Sequence, residues 1–152
     1  MLREKLTADL KTAMLAKNEL GVHTIRLINA AIKQKDIDGR TADNKDVIGD
    51  AQILSLLQTM IKQRQESIKL YEQGKRQDLV DKEAGEIKII EAYLPKQLSD
   101  DEMKAAVQGA IAAAGASSIK DMGKVMNELK AKYSGQMDFA KVGGLVKEKL
   151  AG

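Results

Sequence analysis

The amino-acid sequence predicts an all-α protein with a helical N-terminal subdomain of about four helices and a small C-terminal three-helix bundle. Apolar residues make up 43% of the 152-residue chain and charged residues 31%, whereas aromatic residues make up only 3%. This composition, with a single proline, favours helices over sheets. The apolar residues also recur at helical spacing along most of the chain. We therefore expect a core of Leu, Ile, Val, Ala and Met.

Four amphipathic segments make up the predicted N-terminal subdomain. Their apolar stripes run over about residues 2–17, 19–35, 47–73 and 78–94. Asp78 is the expected N-cap of the fourth helix, because its side chain can accept a hydrogen bond from a first-turn amide. Gly85 lies inside that helix at a cost of about 1 kcal/mol relative to alanine. The glycine therefore predicts close packing against a neighbouring helix.

Pro95 marks the expected boundary between two domains, residues 1–94 and residues 95–152. Proline cannot continue a helix, and it disfavours the helical conformation of the preceding residue, Leu94. The first domain carries 16 basic and 15 acidic side chains, and the second carries 9 and 7. Neither domain is therefore a strongly basic arm of the kind that binds nucleic acid by charge alone.

Three helix starts are predicted in the second domain. Ser99 and Glu102 form a capping box, in which each side chain bonds to the other residue's backbone N–H. Ser118 is the expected cap of the next helix, and Asp138 that of the last. Gly115 is expected to end the first of the three helices.

A search for catalytic or metal-binding motifs finds none. Cysteine is absent, which excludes disulfides, thiolate metal sites and cysteine nucleophiles. His23 stands alone, so a structural or exposed histidine is expected in place of a metal ligand. The acidic run lacks the glycine and closing glutamate of an EF-hand, and we interpret it as a solvated loop. Its members are Asp36, Asp38, Asp43, Asp46 and Asp50. No cofactor and no metal are therefore expected.

The N-terminus and the hydropathy of the chain bear on where the protein is located. The first residues form a charged amphipathic pattern without a hydrophobic signal core. No apolar run approaches the roughly 18 residues that a membrane span needs. These features predict a cytoplasmic protein that does not contact the membrane.

The first group of basic residues lies near the end of the long third helix and its turn. Lys62, Arg64, Lys75 and Arg76 are candidates for contacting an anion or the phosphate backbone of RNA. The alternative is a salt-bridged surface, because Lys62 and Glu66 are i, i+4 partners. The residues alone favour this alternative.

The second group of basic residues lies in the C-terminal bundle. At about 100° per residue, Lys120 and Lys124 fall on the face opposite the core-facing Met122 and Met126. With Lys130, Lys132 and three further lysines, they form a possible positive rim for RNA. Two methionines at this spacing are more typical of a core than of a binding surface.

Four stretches of the chain together resemble a known family. They are Ile61-Lys62-Gln63-Arg64 with Glu66-Ser67, Arg76 with Asp78-Leu79, Tyr93-Leu94-Pro95, and Asp121-Met122-Gly123-Lys124-Val125-Met126. In order and spacing these stretches resemble the YqeY family, from about Leu2 to Leu150. The likeness is looser after Gly135.

The resemblance implies a fold and a role. The YqeY family is similar to the helical and tail regions of the B subunit of the glutamine-dependent Asp/Glu-tRNA amidotransferase, where an appended all-α region helps to hold tRNA. It implies two all-α subdomains and an RNA-facing function. The catalytic core of that subunit and any glutaminase are absent from this sequence. Family inheritance alone would suggest a carbon–nitrogen ligase with glutamine as amido-nitrogen donor, and the residues do not support that activity as an autonomous one.

Three functional hypotheses follow. The preferred one is a non-catalytic, tRNA-associated binding module. The second is a protein–protein adaptor that docks on an amidotransferase or another translation protein. The third is an accessory component of a carbon–nitrogen ligase that is active only in a complex.

Overall fold

The structure is a computed structural model that describes residues 1–41 and 47–151. In those ranges it contains helices and turns and no strand, which confirms the predicted all-α class. The helices are α1 Leu2–Leu15, α2 Glu19–Asp38, α3 Asp50–Gln73, α4 Gln77–Glu91, α5 Asp100–Ala114, α6 Met122–Tyr133 and α7 Phe139–Ala151, and a 3-10 turn, Ile119–Asp121, precedes α6. They form two compact units, Met1–Leu94 and Pro95–Gly152.

The N-terminal unit is built around the apolar stripes of α1 to α4. α1 packs on α2, and α4 packs on both α2 and α3. The fully buried centre of this core consists of Leu6, Ile28, Ile53, Leu57 and Ile90. Gly85 allows the predicted close approach, because a Cβ atom added there would lie 2.8 Å from Leu20 Cδ2 on α2.

The connection between α2 and α3 is held by a buried carboxylate. Asp36 accepts two hydrogen bonds from the Arg3 guanidinium, at 3.0 and 2.7 Å, and one from the Ile48 amide at 2.9 Å. These bonds hold the pKa of Asp36 below its ordinary value. The predicted start near residue 47 is wrong, because Gly49 is an extended N-cap whose amide donates to Gln52 Oε1 at 3.1 Å, and α3 begins at Asp50. Asp43 and Asp46 of the acidic run lie outside the described residues.

Two helical hairpins of this unit turn through a lysine in the left-handed conformation. Lys17, between α1 and α2, has φ 56°, and Lys75, between α3 and α4, has φ 58°. In the second turn, the Arg76 amide donates to the Tyr71 carbonyl at 2.9 Å and the Lys75 amide donates to the Glu72 carbonyl at 3.1 Å. This is the Schellman pattern, in which glycine usually occupies the left-handed position.

The hairpin of α3 and α4 extends beyond the start of α2. Leu20, the second residue of α2, lies level with Gly85, and α4 begins eight residues earlier, at Gln77. At 1.5 Å per residue, the hairpin therefore projects about 12 Å past that point. In the projecting part, the two helices pack on each other.

The C-terminal unit has its own core between α5, α6 and α7. The fully buried side chains are Val107, Val125, Leu129, Met137, Val142 and Val146. The capping box before α5 is confirmed, because the Ser99 amide donates to Glu102 Oε1 at 3.0 Å and the Glu102 amide donates to Ser99 Oγ at 3.2 Å. Gly115 ends α5 with φ 62°, as glycine commonly does.

Ser118 is a helix cap, as predicted, and it caps the 3-10 turn that leads into α6. Its capping-box partner is Asp121, whose Oδ2 accepts from the amides of Ser117 and Ser118 at 3.0 and 3.3 Å. The α-helix itself begins one turn later, at Met122. At α7 the prediction is confirmed, because Asp138 Oδ1 accepts from the Ala140 amide at 3.0 Å.

Candidate nucleic-acid interface

Arg64 is largely buried within the N-terminal unit. Its side chain is 13% exposed, and its Nε donates to Glu86 Oε2 at 2.9 Å. Its Nη1 also donates to the carbonyl of Met60 at 3.1 Å. Glu86 is buried on α4, and His23 Nε2 on α2 lies 3.4 Å from its other oxygen. Arg64 therefore links α3 to α4, and two of the five N–H groups of its guanidinium are engaged by these bonds.

Arg76 is exposed at the hairpin tip and paired with Asp78. Arg76 Nε and Nη2 donate to the two oxygens of Asp78 at 3.1 and 3.0 Å. The guanidinium holds the pKa of Asp78 below its ordinary value. The prediction that Asp78 caps α4 is wrong, because α4 begins at Gln77 and the carboxylate turns towards Arg76. Lys75 is exposed beside this pair.

The hairpin tip as a whole is not a positive surface. Residues 66–83 contain four basic and five acidic side chains, so the net charge of this segment is −1. Lys62 is exposed on α3, just before this segment. Of the four predicted residues of the first group, Arg64 thus forms a largely buried ion pair and Arg76 an exposed one. Lys62 and Lys75 are exposed lysines.

Lys120 and Lys124 lie on the exposed side of the 3-10 turn and the first turn of α6. Asp121, between them in sequence, is turned to the Ser117 and Ser118 amides, and these bonds hold its pKa below the ordinary value. Among residues 1–41 and 47–151, no carboxylate lies within ion-pair distance of either lysine. The two ammonium groups therefore form a small exposed positive patch, which we call the α6 patch.

Lys130 and Lys132 do not extend the α6 patch as one cluster. Both are exposed near the end of α6, but residues two positions apart in a helix point about 160° away from each other. Lys132 Nζ lies 5.6 Å from the centre of the Tyr133 ring, on the side that faces α5. A single phosphate cannot contact both lysines.

Two buried ionic features were not predicted from the sequence. The first is the ion pair between Arg64 and Glu86, and the second is the ion pair between Arg3 and Asp36. A signal for the first existed: Arg64 lies seven residues after Leu57, on the same face of α3 as the core. Its partner, 22 residues away, could not be identified by spacing.

No helix in the described part of the chain is both long and apolar enough to cross a bilayer. Within that same part, His, Asp and Glu side chains form no group that could hold a metal ion. His23 is half exposed and contacts Glu86, so its environment is that of a surface residue beside a buried carboxylate.

Comparison with known proteins identifies relatives over much of the chain. Three are named altered inheritance of mitochondria protein 41, mitochondrial. The Pyrenophora tritici-repentis protein is 33% identical over 134 residues, or 84% of this chain and 71% of the relative. The Kluyveromyces lactis protein is 43% identical over 88 residues, or 58% and 45%. The Clavispora lusitaniae protein is 37% identical over 105 residues, or 68% and 58%. The chain thus spans about half the length of several of these relatives.

These names correct the predicted location. The expectation of a cytoplasmic protein is wrong, because the relatives are named as mitochondrial proteins. The family model described as Yqey-like protein matches residues 3–150. The chain therefore belongs to the YqeY family.

Proposed function

We propose that this chain is a non-catalytic RNA-binding module that contacts the phosphate backbone of tRNA through its C-terminal unit. The observation that carries the proposal is the α6 patch: Lys120 and Lys124 are exposed, and the intervening Asp121 is bonded to backbone amides. Exposed lysines without carboxylate partners release counterions when they meet phosphate. Such contacts position an RNA without reading its sequence.

The surroundings of the α6 patch strengthen this proposal. Residues 118–151 carry seven lysines and four acidic residues, a net charge of +3. Two of the four carboxylates, those of Asp121 and Asp138, accept hydrogen bonds from backbone amides. Lysines on α7 add to the local potential, and Lys141 among them is paired with Asp100 at 2.8 Å. This segment therefore offers phosphate a more favourable field than the hairpin tip does.

The hairpin of α3 and α4 is the weaker candidate for RNA contact. The segment 66–83 has a net charge of −1. Arg64 forms an ion pair with Glu86, and Arg76 forms a bidentate ion pair with Asp78. A phosphate approaching Arg76 would have to displace a bidentate carboxylate. Lys62 and Lys75 remain exposed candidates, and they belong to the test below as a second set.

The experiment measures binding of the full chain to tRNA as a function of salt. Mitochondrial tRNA is the first probe, because the relatives are named as mitochondrial proteins. Two phosphate contacts predict that log K falls with log salt at a slope of about −2. The double variant Lys120→Ala/Lys124→Ala is expected to lose binding and to flatten the slope by about the same amount.

The control replaces two exposed lysines of the N-terminal unit that lie outside the hairpin, Lys11→Ala/Lys33→Ala, which changes the net charge equally. This variant should bind like the wild type. A third variant, Lys62→Ala/Lys75→Ala, tests the hairpin. No tRNA binding at low salt, or an equal loss in the control and the α6 patch variant, would refute the proposal.

A further inference from the structure

Two methionines of α6 meet α7 at a glycine. Met122 and Met126 lie four residues apart, so their side chains share one face of the helix. The terminal methyl carbons of these side chains lie 3.8 and 3.9 Å from the position that a Cβ atom on Gly143 would occupy. Both side chains are partly buried and pack against the core of the C-terminal unit. The two thioethers therefore fill the contact between the first turns of α6 and α7.

The seven methionines of the chain differ in their access to solvent and in their packing. Met1 and Met14 are 90% and 51% exposed, and neither belongs to a core. Three methionines are buried in a core, and they are Met60, Met103 and Met137. Among the seven, Met122 and Met126 alone are both partly open to solvent and packed against a core. An oxidant can reach them, and their oxidation would change a contact between helices.

Peroxides oxidise methionine at its sulfur atom. A lone pair of the thioether attacks one oxygen of hydrogen peroxide, so that an S–O bond forms and the O–O bond breaks. The other oxygen leaves as water after taking up the proton of the transferred one. The sulfur is oxidised, the peroxide is reduced, and the product is a polar sulfoxide in place of a flexible apolar group. Methionine sulfoxide reductases reverse this step.

Oxidised side chains would no longer fit the contact between α6 and α7. A sulfoxide at Met122 or Met126 places a polar oxygen in apolar surroundings, and a polar group withdrawn from water without a hydrogen-bond partner is unfavourable. The side chain is therefore expected to turn towards solvent, and Gly143 has no side chain that could fill the space left behind. The unit spans only Pro95–Gly152, and small domains have little stability to lose.

The same turns of α6 carry the α6 patch. Lys120 and Lys124 each lie two residues from Met122, on the 3-10 turn and the first turn of α6. We propose that Met122 and Met126 form a reversible oxidation site, where sulfoxide formation separates the start of α6 from α7 and weakens the contact of the α6 patch with RNA. The effect on RNA rests on the proposed function, whereas the oxidation and the opening of the helix contact do not.

The first test treats the full chain with hydrogen peroxide and follows each methionine by mass spectrometry of its peptides. Met122 and Met126 should oxidise more slowly than Met14 and faster than the two buried methionines of the same unit, because oxidation follows exposure. Rates for Met122 and Met126 no faster than those of the buried methionines would overturn the proposal.

The second test measures the stability of the oxidised C-terminal unit by urea unfolding, followed through the NMR signals of Val125 and Val142 in its core. Oxidation of Met122 and Met126 should lower the urea midpoint of this unit by at least about 0.5 M. Treatment with methionine sulfoxide reductases should restore the midpoint. A midpoint that does not change on oxidation would overturn the proposal.

Leucine variants locate the effect. Met122→Leu/Met126→Leu keeps the volume and the apolar contact but cannot form a sulfoxide, so it should fold stably and keep its midpoint after peroxide treatment. Met14→Leu is the control, because Met14 is exposed and lies outside the cores. This control should lose as much stability on oxidation as the wild type. An equal loss in the double variant would place the sensitive site elsewhere and refute the proposal.

The effect on RNA is measured with mitochondrial tRNA after the peroxide has been removed. Oxidation should weaken binding by the wild type at least about fivefold, because the apparent affinity falls with the fraction of molecules whose binding surface is ordered. Met122→Leu/Met126→Leu should bind tRNA equally before and after treatment. Undiminished binding by the oxidised wild type would refute the switch. If the untreated protein binds no tRNA, the proposed function fails separately. Hydrogen exchange of residues 120–126 then decides whether oxidation releases the α6 patch, and exchange no faster after oxidation would refute it.

Discussion

Removing the arginine from the Arg64–Glu86 ion pair should destabilise the N-terminal unit strongly. Both side chains are largely withdrawn from water, at 13% and 4% exposure. In Arg64→Met, the Glu86 carboxylate loses a charge-assisted bond, worth about 1.5–3 kcal/mol, and remains buried with only the half-exposed His23 near it. Breaking a buried pair on one side costs about 3–5 kcal/mol in total. We expect the lower end, about 3 kcal/mol, because the half-exposed His23 lies 3.4 Å from one oxygen of Glu86.

The measurement is urea unfolding followed through the NMR signals of Leu57 and Ile90, which report on the N-terminal core. A loss of about 3 kcal/mol should lower the urea midpoint by about 1–3 M. The double variant Arg64→Met/Glu86→Leu replaces the pair by apolar groups and should recover most of the loss. The reasoning would be refuted if Arg64→Met lowered the free energy of unfolding by less than about 1 kcal/mol, as the loss of an exposed ion pair does. It would also be refuted if the double variant were less stable than the single variant.

Three other perturbations test separate features, each by urea unfolding. Lys75 has a left-handed backbone conformation that glycine adopts without strain, so Lys75→Gly should raise the free energy of unfolding by about 0.5–1 kcal/mol, after the greater entropy of the unfolded glycine chain is subtracted. A lower free energy of unfolding would contradict this prediction. Asp36→Asn removes a carboxylate whose pKa is lowered by Arg3, so the variant should have a smaller free energy of unfolding than the wild type at pH 7. This difference should shrink as the pH falls below about 4, because the wild-type carboxylate is then protonated and loses the same stabilisation. A difference that does not depend on pH would contradict the prediction. Gly85→Val forces a side chain onto Leu20 and should cost about 1–3 kcal/mol, whereas a neutral result would mean that α2 moves freely.

The fold was predictable where local signals sufficed. Met103, Val107 and Ala110 are spaced three and four residues apart in α5, and all three are buried, as helical periodicity requires. The start of α5 at Ser99 could be predicted because the capping box is complete within four residues. The start of α3 was misplaced because Val47 and Ile48 extend the apolar pattern, whereas Ile48 is bonded to Asp36, 12 residues away, and Gly49 is the N-cap. Apolar spacing along one helix carries no information about such contacts.

The candidate site was only partly predictable for the same reason. The exposure of Lys120 and Lys124 follows from their position opposite Met122 on a helix. The burial of Arg64 depends on Glu86 in another helix, and sequence alone presents Arg64 as one more surface cation. The contact of Met122 and Met126 with Gly143 also needs two helices to exist.

The projecting hairpin has a consequence for how the N-terminal unit opens. About 12 Å of α3 and α4 lies beyond the start of α2 and is held chiefly by contacts between those two helices. Local unfolding begins where buried contacts are fewest. Amide hydrogens near Gly74 should therefore exchange with solvent first, and protection should rise along both helices towards Arg64 and Glu86. Amides on the tip side of the Arg64–Glu86 ion pair should then exchange by local fraying, and those beyond it only by global unfolding.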